Sequence, residues 1–517
     1  MATSNKNNNS TRANGPLKKV VKSTVIVFFG TIVGSILLYL TRLILIRNWT
    51  QAEYGTYVLS LTIPALFLTL SSLGLRKGII RNIAYSRGRN DLEEISKIVS
   101  STSFVFVFLG VIASAALFFS SEFISLEIFN EPLLIMPIKI ISISIPALKI
   151  TNFVVTTFQA YDRVSPGIIY SIFRSLLFFV FLLIITYLGF SFITIFYAYV
   201  ISISVTCILL ILSINKKLDL SRIAKIKYFD KTTIKTLVLF SLPLFGVAAT
   251  TFVSKFVDTL LLAGIKNVSE VALYNAIVPT SQAISSPLGA MVVIYVPVIT
   301  VLYSKQKIQE MGRNFSILVK WLFLITLPIF LIFFLFSEEI ILFLFGASYL
   351  TVANAFKLSC LGAILLNLLG LNNQNLLVIG KTKFIFYSYI IAISVNVALD
   401  FLLIPQYGVF GAVFASFISF LIAYLVMSAK IYSEIKLQPL SKNLLKPTFL
   451  LLLIMIPFYA LTSRFIDYSI PLVVVFFGLC YVFIFLSLIA TKSLDKEDID
   501  LFRTIGSKLG LKSFSKK

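Results

Sequence analysis

Long apolar segments recur along the whole chain, and they constrain its fold more than any other feature. A helix needs roughly 20 apolar residues to cross a bilayer. Fourteen segments approach or exceed that length, at about 25–46, 56–80, 99–119, 135–158, 168–188, 191–214, 237–264, 272–302, 315–336, 350–378, 384–404, 409–429, 447–463 and 470–490. Charged residues make up 13% of the 517 residues, whereas soluble domains have about 25%. The sequence predicts an all-α polytopic membrane protein with about 14 transmembrane helices.

The net charge of +23 is concentrated between the spans. If the N-terminus is cytoplasmic, Lys and Arg cluster in both tails, in the linker 215–236 and in alternate loops. The opposite loops hold few cations and several carboxylates, namely Arg47, Lys266 and Arg464 against Glu122, Glu127, Glu131, Glu338 and Glu339. Because cytoplasmic loops carry an excess of Lys and Arg, we expect a multi-pass plasma-membrane protein with both termini cytoplasmic. The charge is then an orientation signal, and no nucleic-acid partner is expected.

The two halves of the chain resemble each other weakly at a nearly constant spacing. Three short runs carry the match: Ala52-Glu53-Tyr54-Gly55-Thr56-Tyr57 with Ser269-Glu270-Val271-Ala272-Leu273-Tyr274, Ala84-Tyr85-Ser86-Arg87 with Leu302-Tyr303-Ser304-Lys305, and Leu188-Gly189-Phe190 with Tyr407-Gly408-Val409. Each copy holds six spans, so both copies insert with the same orientation. This predicts two parallel six-helix lobes, related by a pseudo-two-fold axis along the membrane normal, with a site between them.

The repeat gives a domain organisation with six parts. They are a cytoplasmic N-terminal tail (1–24), an N-lobe of helices 1–6 (25–214), a basic cytoplasmic linker (215–236), a C-lobe of helices 7–12 (237–429), helices 13–14 (430–490) and a cytoplasmic C-terminal tail (491–517).

The residues that usually carry catalysis are scarce. The chain has no histidine and only three cysteines, Cys207, Cys360 and Cys480, all within apolar segments. This removes the usual metal ligands and most pairs of nucleophile and base. We therefore predict no catalytic residue, no metal site and no enzyme activity. Long outer loops with catalytic carboxylates, as a membrane glycosyltransferase or polymerase would need, are also missing from the sequence.

One span carries two charges of opposite sign. In 237–264, Thr251, Ser254, Lys255 and Asp258 recur at spacings of three and four, which places them on one helical face. A charge at bilayer depth is costly, so it normally faces a partner or a wet cavity. Lys255 and Asp258 either neutralise each other or form a working pair. In the working pair Lys255 takes an anion, and Asp258 holds Lys255 charged or exchanges a coupling cation, H⁺ or Na⁺.

Cations outnumber acids inside the spans. Arg42 ends a polar stripe with Thr31, Ser35 and Tyr39, and is either a snorkelling interfacial residue or a ligand. Lys149 and Arg174 lie deeper. The candidate cavity residues are therefore Arg42, Lys149, Arg174, Lys255 and Asp258. Such a lining favours an anionic substrate that carries phosphate or uronate.

Three further residues are weaker candidates. Arg76 is a membrane-surface anchor that could also touch a phosphate. Asn396 is either a partner for sugar hydroxyls or a polar contact between helices. Asp400 is, with Asp258, one of only two acids inside the predicted spans.

Several motifs resemble one family. One motif in the second half of the chain is similar to the pattern of polysaccharide flippases. It consists of Gly380-Lys381-Thr382-Lys383, Asn396, and the run from Leu402-Leu403-Ile404-Pro405-Gln406-Tyr407-Gly408 to Gly411-Ala412. Two further motifs resemble the same family, namely Arg42 with 52–57 and Gly74-Leu75, and Asp258 to Gly264 with Tyr274. These flippases belong to the multidrug/oligosaccharidyl-lipid/polysaccharide exporter superfamily. The resemblance covers about residues 20–490.

The resemblance implies a V-shaped bundle of two lobes around a central cavity. It implies flipping of a polyprenyl-phosphate-linked oligosaccharide, on an undecaprenyl or dolichyl carrier, from the cytoplasmic to the outer leaflet by alternating access. Membrane lipids and other polysaccharide-assembly proteins are the expected partners, and no cofactor is expected beyond the coupling ion. The alternative is a cation-coupled drug or metabolite exporter of the same fold.

Overall fold

The computed structural model describes residues 7–218, 229–436, 442–462, 470–494 and 498. These residues are almost wholly helical, and none of them lies in a strand. The α-helices are α1 (Asn7–Asn48), α2 (Gln51–Leu70), α3 (Leu75–Gly88), α4 (Leu92–Phe123), α5 (Ile135–Ser142), α6 (Ile145–Ala160), α7 (Ser165–Leu188), α8 (Thr194–Leu218), α9 (Lys231–Ile265), α10 (Val268–Ser281), α11 (Ser286–Ser304), α12 (Ile308–Leu335), α13 (Ser337–Leu344), α14 (Ala353–Leu369), α15 (Leu371–Val378), α16 (Thr382–Tyr407), α17 (Val409–Ile435), α18 (Lys442–Thr462) and α19 (Ile470–Ala490).

The predicted fold class is confirmed, while the predicted number of about 14 spans stays a prediction. The described residues contain 11 helices long and apolar enough to cross a membrane, or up to 13 if each of two bent pairs is one span. The eighth predicted segment, 272–302, is divided into α10, a 3₁₀ turn at Gln282–Ser285 and α11. Pro279 and Pro287 lie on either side of this turn, and proline cannot supply the amide that a continuous helix needs.

The two bent pairs are α2 with α3 and the Pro132–Ser142 segment with α6, with bends of 48° and 46°. At the first bend the chain passes through left-handed conformations, with φ of 47° at Leu73 and 67° at Gly74. Glycine adopts this conformation without steric cost. The break at Ser71–Gly74 therefore changes the direction of α3 relative to α2.

The chain divides into two compact units, Met1–Asn275 and Ala276–Lys517. In the first unit, α4 packs on α6, α1 packs on α7, and α9 packs on α2, α3 and α4. Leu75, Ile79 and Ile83 of α3 lie in one of its buried apolar clusters. The predicted lobe boundary lies in the linker 215–236, of which 219–228 are outside the described residues, so that boundary stays a prediction.

In the second unit, α16 packs against α17, and α14 packs on both α12 and α17. Lys320 of α12 is 1% exposed and forms an ion pair with Asp498. The indole nitrogen of the neighbouring Trp321 donates to the other carboxylate oxygen at 2.7 Å. Lys320 and Trp321 thus connect α12 to residues that follow α19.

Candidate substrate-binding site

The start of α2 is fixed by a capping box. The Thr50 hydroxyl accepts a hydrogen bond from the backbone amide of Glu53 at 3.2 Å, and the Thr50 amide donates to the Glu53 carboxylate at 2.9 Å. Such a box satisfies amides that the first helical turn leaves without partners. Tyr54 and Tyr57 follow at once, and their spacing of three places them on one face of α2.

These two tyrosines begin a series of aromatic contacts in the first unit. The rings of Tyr54 and Tyr57 stack with centroids 6.4 Å apart, and Tyr57 stacks on Phe178 of α7 at 6.5 Å. Phe178 in turn meets Tyr199 of α8 edge-on at 5.5 Å. Tyr54 is 2% exposed, whereas Tyr57 and Tyr199 are only half-buried. The arrangement forms a partly accessible aromatic surface that includes three tyrosines.

Two of the predicted cations meet at this surface. Arg42 interacts electrostatically with the Tyr54 hydroxyl, and that hydroxyl donates to the Asn275 carbonyl at 3.4 Å. Arg42 and Arg174 both lie close enough to the Tyr57 hydroxyl to interact with it electrostatically. Within the described part of the chain, neither arginine forms an ion pair with a carboxylate. We call Arg42, Tyr54, Tyr57, Arg174 and Tyr199 the arginine–tyrosine cluster.

The chemistry of this cluster suits an anion. A guanidinium presents five N–H donors in a planar fork that matches phosphate or carboxylate, and a phenolic hydroxyl adds another donor. Two cations without a carboxylate nearby attract negative charge, and the apolar surroundings strengthen that attraction.

Lys255 and Asp258 lie in different surroundings. Asp258 is 6% exposed and accepts a hydrogen bond from the Tyr274 hydroxyl on α10. Lys255 is exposed, and its ammonium lies 5.0 Å from the centroid of the Phe256 ring. In the described part of the chain Lys255 makes no ion pair with Asp258. Asp258 thus has a partner on the next helix, and the working pair of Lys255 and Asp258 stays a prediction.

Lys149 is buried and has hydrogen-bond partners within the protein. Its side chain is 1% exposed, and its ammonium donates to the Leu68 carbonyl at 3.0 Å and to the Ser72 hydroxyl at 2.8 Å. Leu68 lies in the last turn of α2, where carbonyls lose their helical partners and cations are favoured. Lys149 thus stabilises the break between α2 and α3, and it lies buried rather than on an open surface.

The weaker candidates have mostly local contacts. Arg76 is exposed and donates to the Gln159 side-chain oxygen at 3.2 Å. The Asn396 amide donates to the Ser416 hydroxyl at 3.4 Å, which joins α16 to α17. Asp400 is fully buried on α16. The structure thus brings Arg42 and Arg174 to one hydroxyl and leaves Lys149, Arg76 and Asn396 with partners of their own.

A sequence comparison identifies the family. The profile described as "Polysaccharide biosynthesis protein" matches residues 20–303, more than half of the chain. The chain belongs to this family. The matched range includes the motifs at 42–75 and 258–274 and the whole arginine–tyrosine cluster, and it confirms the resemblance to polysaccharide flippases. No curated protein matches the sequence.

Solved structures of the superfamily share the fold. "Lipid II flippase MurJ, inward closed conformation" has a TM-score of 0.71 at 15% identity and covers 91% of this chain and 99% of its own. An inward-facing multidrug resistance MATE family transporter of the MOP superfamily has a TM-score of 0.67 at 14% identity and covers 80% of this chain and 98% of its own. A MOP superfamily transporter from Pyrococcus furiosus, described as having a binding pocket of reverse polarity, has a TM-score of 0.55 at 16% identity and covers 80% of this chain and 96% of its own. This family member therefore has the fold of the superfamily's transporters and flippases.

Sequence reasoning missed the tyrosines. Tyr54, Tyr57 and Tyr274 served as markers of the repeat and of the family resemblance but not as site residues, because aromatic residues at helical spacing usually lie in a core. One signal was available: Tyr57 and Tyr274 occupy equivalent places in the repeat. In the structure each of them meets a charged residue of the preceding span, Arg42 for Tyr57 and Asp258 for Tyr274.

Proposed function

We propose that the protein flips a polyprenyl-phosphate-linked oligosaccharide from the cytoplasmic to the outer leaflet by alternating access. The observation that carries the proposal is the approach of Arg42 and Arg174 to one tyrosine hydroxyl. Membership of the polysaccharide biosynthesis family supports a glycan-linked cargo. We further propose that both termini are cytoplasmic, that the protein works in the plasma membrane, and that other polysaccharide-assembly proteins are its partners.

The two ends of such a substrate need different surroundings. The phosphate is charged and is costly to move through hydrocarbon, so Arg42 and Arg174 would replace its hydration with guanidinium hydrogen bonds. Tyr57 and Tyr199 would offer hydroxyls and ring faces to the first sugars. The polyprenyl chain, undecaprenyl or dolichyl, can remain in lipid throughout. The protein then has to lower the barrier only for the head group.

Coupling to a cation is the second part of the proposal. Asp258 is a buried carboxylate hydrogen-bonded by Tyr274, and a buried acid inside a span typically belongs to a proton or ion pathway. Exchange of H⁺ or Na⁺ at Asp258 would bias the conformations of the span that carries it. The same feature favours the alternative function, a cation-coupled drug or metabolite exporter.

A flipping assay tests the proposal. Purified protein is reconstituted in vesicles with a polyprenyl-diphosphate oligosaccharide whose head group is fluorescent, and an impermeant quencher reports its transfer. Arg42→Gln and Arg174→Gln should each slow transfer by about tenfold or more, since hydrogen bonds to charged groups contribute about 1.5–3 kcal/mol. Arg89→Gln is the matched control, because Arg89 is an exposed arginine at the end of α3. Wild-type rates in both cluster variants would contradict the proposal, and efflux of cationic dyes without lipid flipping would favour the exporter.

A further inference from the structure

The helix α3 presents a basic face beside a membrane span. Its apolar residues Leu75, Ile79 and Ile83 are buried in the first unit, whereas Lys77 and Arg81 are exposed. Lys77 and Arg81 are four residues apart and therefore adjacent on the helix surface. The 48° bend between α2 and α3 fixes the direction of this face.

A close contact joins α3 to α9. A Cβ atom added at Gly78 would lie 2.6 Å from the Ser241 hydroxyl and 3.4 Å from the Phe240 ring, so Gly78 allows α3 and α9 to approach closely. The backbone amide of Asp230, just before α9, donates to the Ser101 hydroxyl of α4 at 2.9 Å. Lys235, exposed on the early turns of α9, is about 9 Å along the helix from Ser241.

The side chain of Arg81 bridges the two helices. Its guanidinium carbon lies 4.6 Å from the centroid of the Phe240 ring. Phe240 is 39% exposed, and its neighbours Leu239 and Leu242 are 62% and 54% exposed. A cation over a ring face is stabilised by the ring quadrupole. Among the described residues the Arg81 guanidinium makes no hydrogen bond, so its N–H donors can bind another ligand.

The acidic groups around this surface are engaged elsewhere. Asp91 accepts a hydrogen bond from the Glu94 amide at 2.9 Å, and Glu93 pairs with Lys97 at 2.7 Å. Asp230 accepts from the hydroxyl and amide of Thr233 and from Thr232, which lowers its pKa to about 2 and keeps it ionised as the cap of α9. In the described part of the chain, Lys77, Arg81 and Lys235 form no ion pair with any carboxylate.

We propose that this surface, formed by Lys77, Arg81, Lys235 and Phe240, binds the head group of an anionic phospholipid. The phosphate lies against the edge of the Arg81 guanidinium, with Lys77 and Lys235 on either side. The acyl chains cover Leu239 and Leu242, which need an apolar partner in a bilayer. A juxtamembrane cluster of basic residues attracts anionic lipids, and the Arg81–Phe240 contact turns that general attraction into a defined site. This lipid is a bound component of the membrane, separate from any transported substrate.

Native mass spectrometry of the full chain in detergent tests the proposal. The protein is titrated with palmitoyl-oleoyl phosphatidylglycerol or with phosphatidylcholine that has the same acyl chains. Wild-type protein should retain phosphatidylglycerol preferentially. Arg81→Gln should weaken that retention about fivefold, the expected contribution of one basic residue near a membrane surface. Phe240→Leu, which keeps an apolar side chain but removes the ring face, should weaken it in the same direction.

Lys305→Gln is the matched control, because Lys305 is an exposed cation that the repeat places on the same predicted side of the membrane. It should retain phosphatidylglycerol as the wild type does. Equal retention of both lipids, or equal losses in Lys305→Gln and Arg81→Gln, would overturn the proposal. Displacement of phosphatidylglycerol by inorganic pyrophosphate alone would also overturn it, since the site would then bind a free phosphate. The melting temperature of each variant without added lipid checks that folding is intact.

Discussion

Arg42 of α1 and Arg174 of α7 both act on the hydroxyl of Tyr57, although they come from helices far apart in sequence. The packing of α1 on α7 brings both guanidinium groups within electrostatic range of this hydroxyl, and like charges repel. An anion placed between them would relieve that repulsion and engage both sets of donors. This relationship is the basis of the phosphate-binding account.

Tyr57→Phe tests the contribution of the Tyr57 hydroxyl separately from that of its ring. The variant keeps the stack on Phe178 but loses the group that faces both arginines. We expect flipping to slow by about threefold to tenfold, the effect of one neutral hydrogen bond. Tyr57→Ala should also lower the melting temperature, because it removes the ring from the aromatic series. A Tyr57→Phe rate equal to that of the wild type would assign the hydroxyl no part in binding.

Lys149→Ala should act mainly on stability. It removes a buried side chain and the hydrogen bonds to Leu68 and Ser72, so we expect a loss of about 2–4 kcal/mol. Lys149→Met keeps most of the volume and should lose less. Unfolding in detergent measures both, and flipping rates below the melting temperature should stay near the wild-type value. Normal stability with abolished flipping would instead assign Lys149 to the substrate, as the sequence alone suggested.

Asp258→Asn tests the coupling role separately from the predicted pair. Because Asp258 bonds to Tyr274 and Lys255 is exposed, Asp258→Asn should remove any dependence of flipping on pH or sodium, whereas Lys255→Gln should leave that dependence unchanged. Rates measured across gradients of each cation decide between them. If Lys255→Gln reproduces the effect of Asp258→Asn, the working pair predicted from the sequence is the better description.

Single cysteines at Ser221 in the linker and Ser507 in the tail test the orientation. Both positions lie outside the described residues, and the distribution of Lys and Arg predicts that they face the cytoplasm. The three native cysteines are buried, so background labelling should be low. An impermeant maleimide should label these sites only in inverted vesicles. Labelling of either site in intact cells would reverse the orientation and the proposed direction of transport.

The fold class could be predicted because bilayer-length apolar segments leave few alternatives to helices. The continuity of each apolar segment could not, since it depends on local breaks. In 272–302 the hydropathy continues across Gln282–Ser285, where the structure has a 3₁₀ turn. The bend at Leu73–Gly74 depends on two left-handed residues, of which only the glycine is visible as a signal in the sequence.

The candidate site was predictable in part for a similar reason. Arg42 and Arg174 stand out because ionised groups are rare inside spans. The partner of Lys149 is a backbone carbonyl at a helix break, which no side-chain pattern reveals. The Tyr274 hydroxyl that donates to Asp258 lies on the following helix, which the spacing of charges within α9 does not reveal.

Binding of matched lipids measures the central claim most directly. A polyprenyl-diphosphate oligosaccharide and the same oligosaccharide on an uncharged polyprenyl ether are titrated against purified wild-type protein and the Arg42→Gln/Arg174→Gln variant. The account predicts that the wild type binds the diphosphate lipid at least about tenfold more tightly, and that the double variant binds the two lipids equally. Equal binding of the two lipids by the wild type, or an unchanged preference in the double variant, would contradict it.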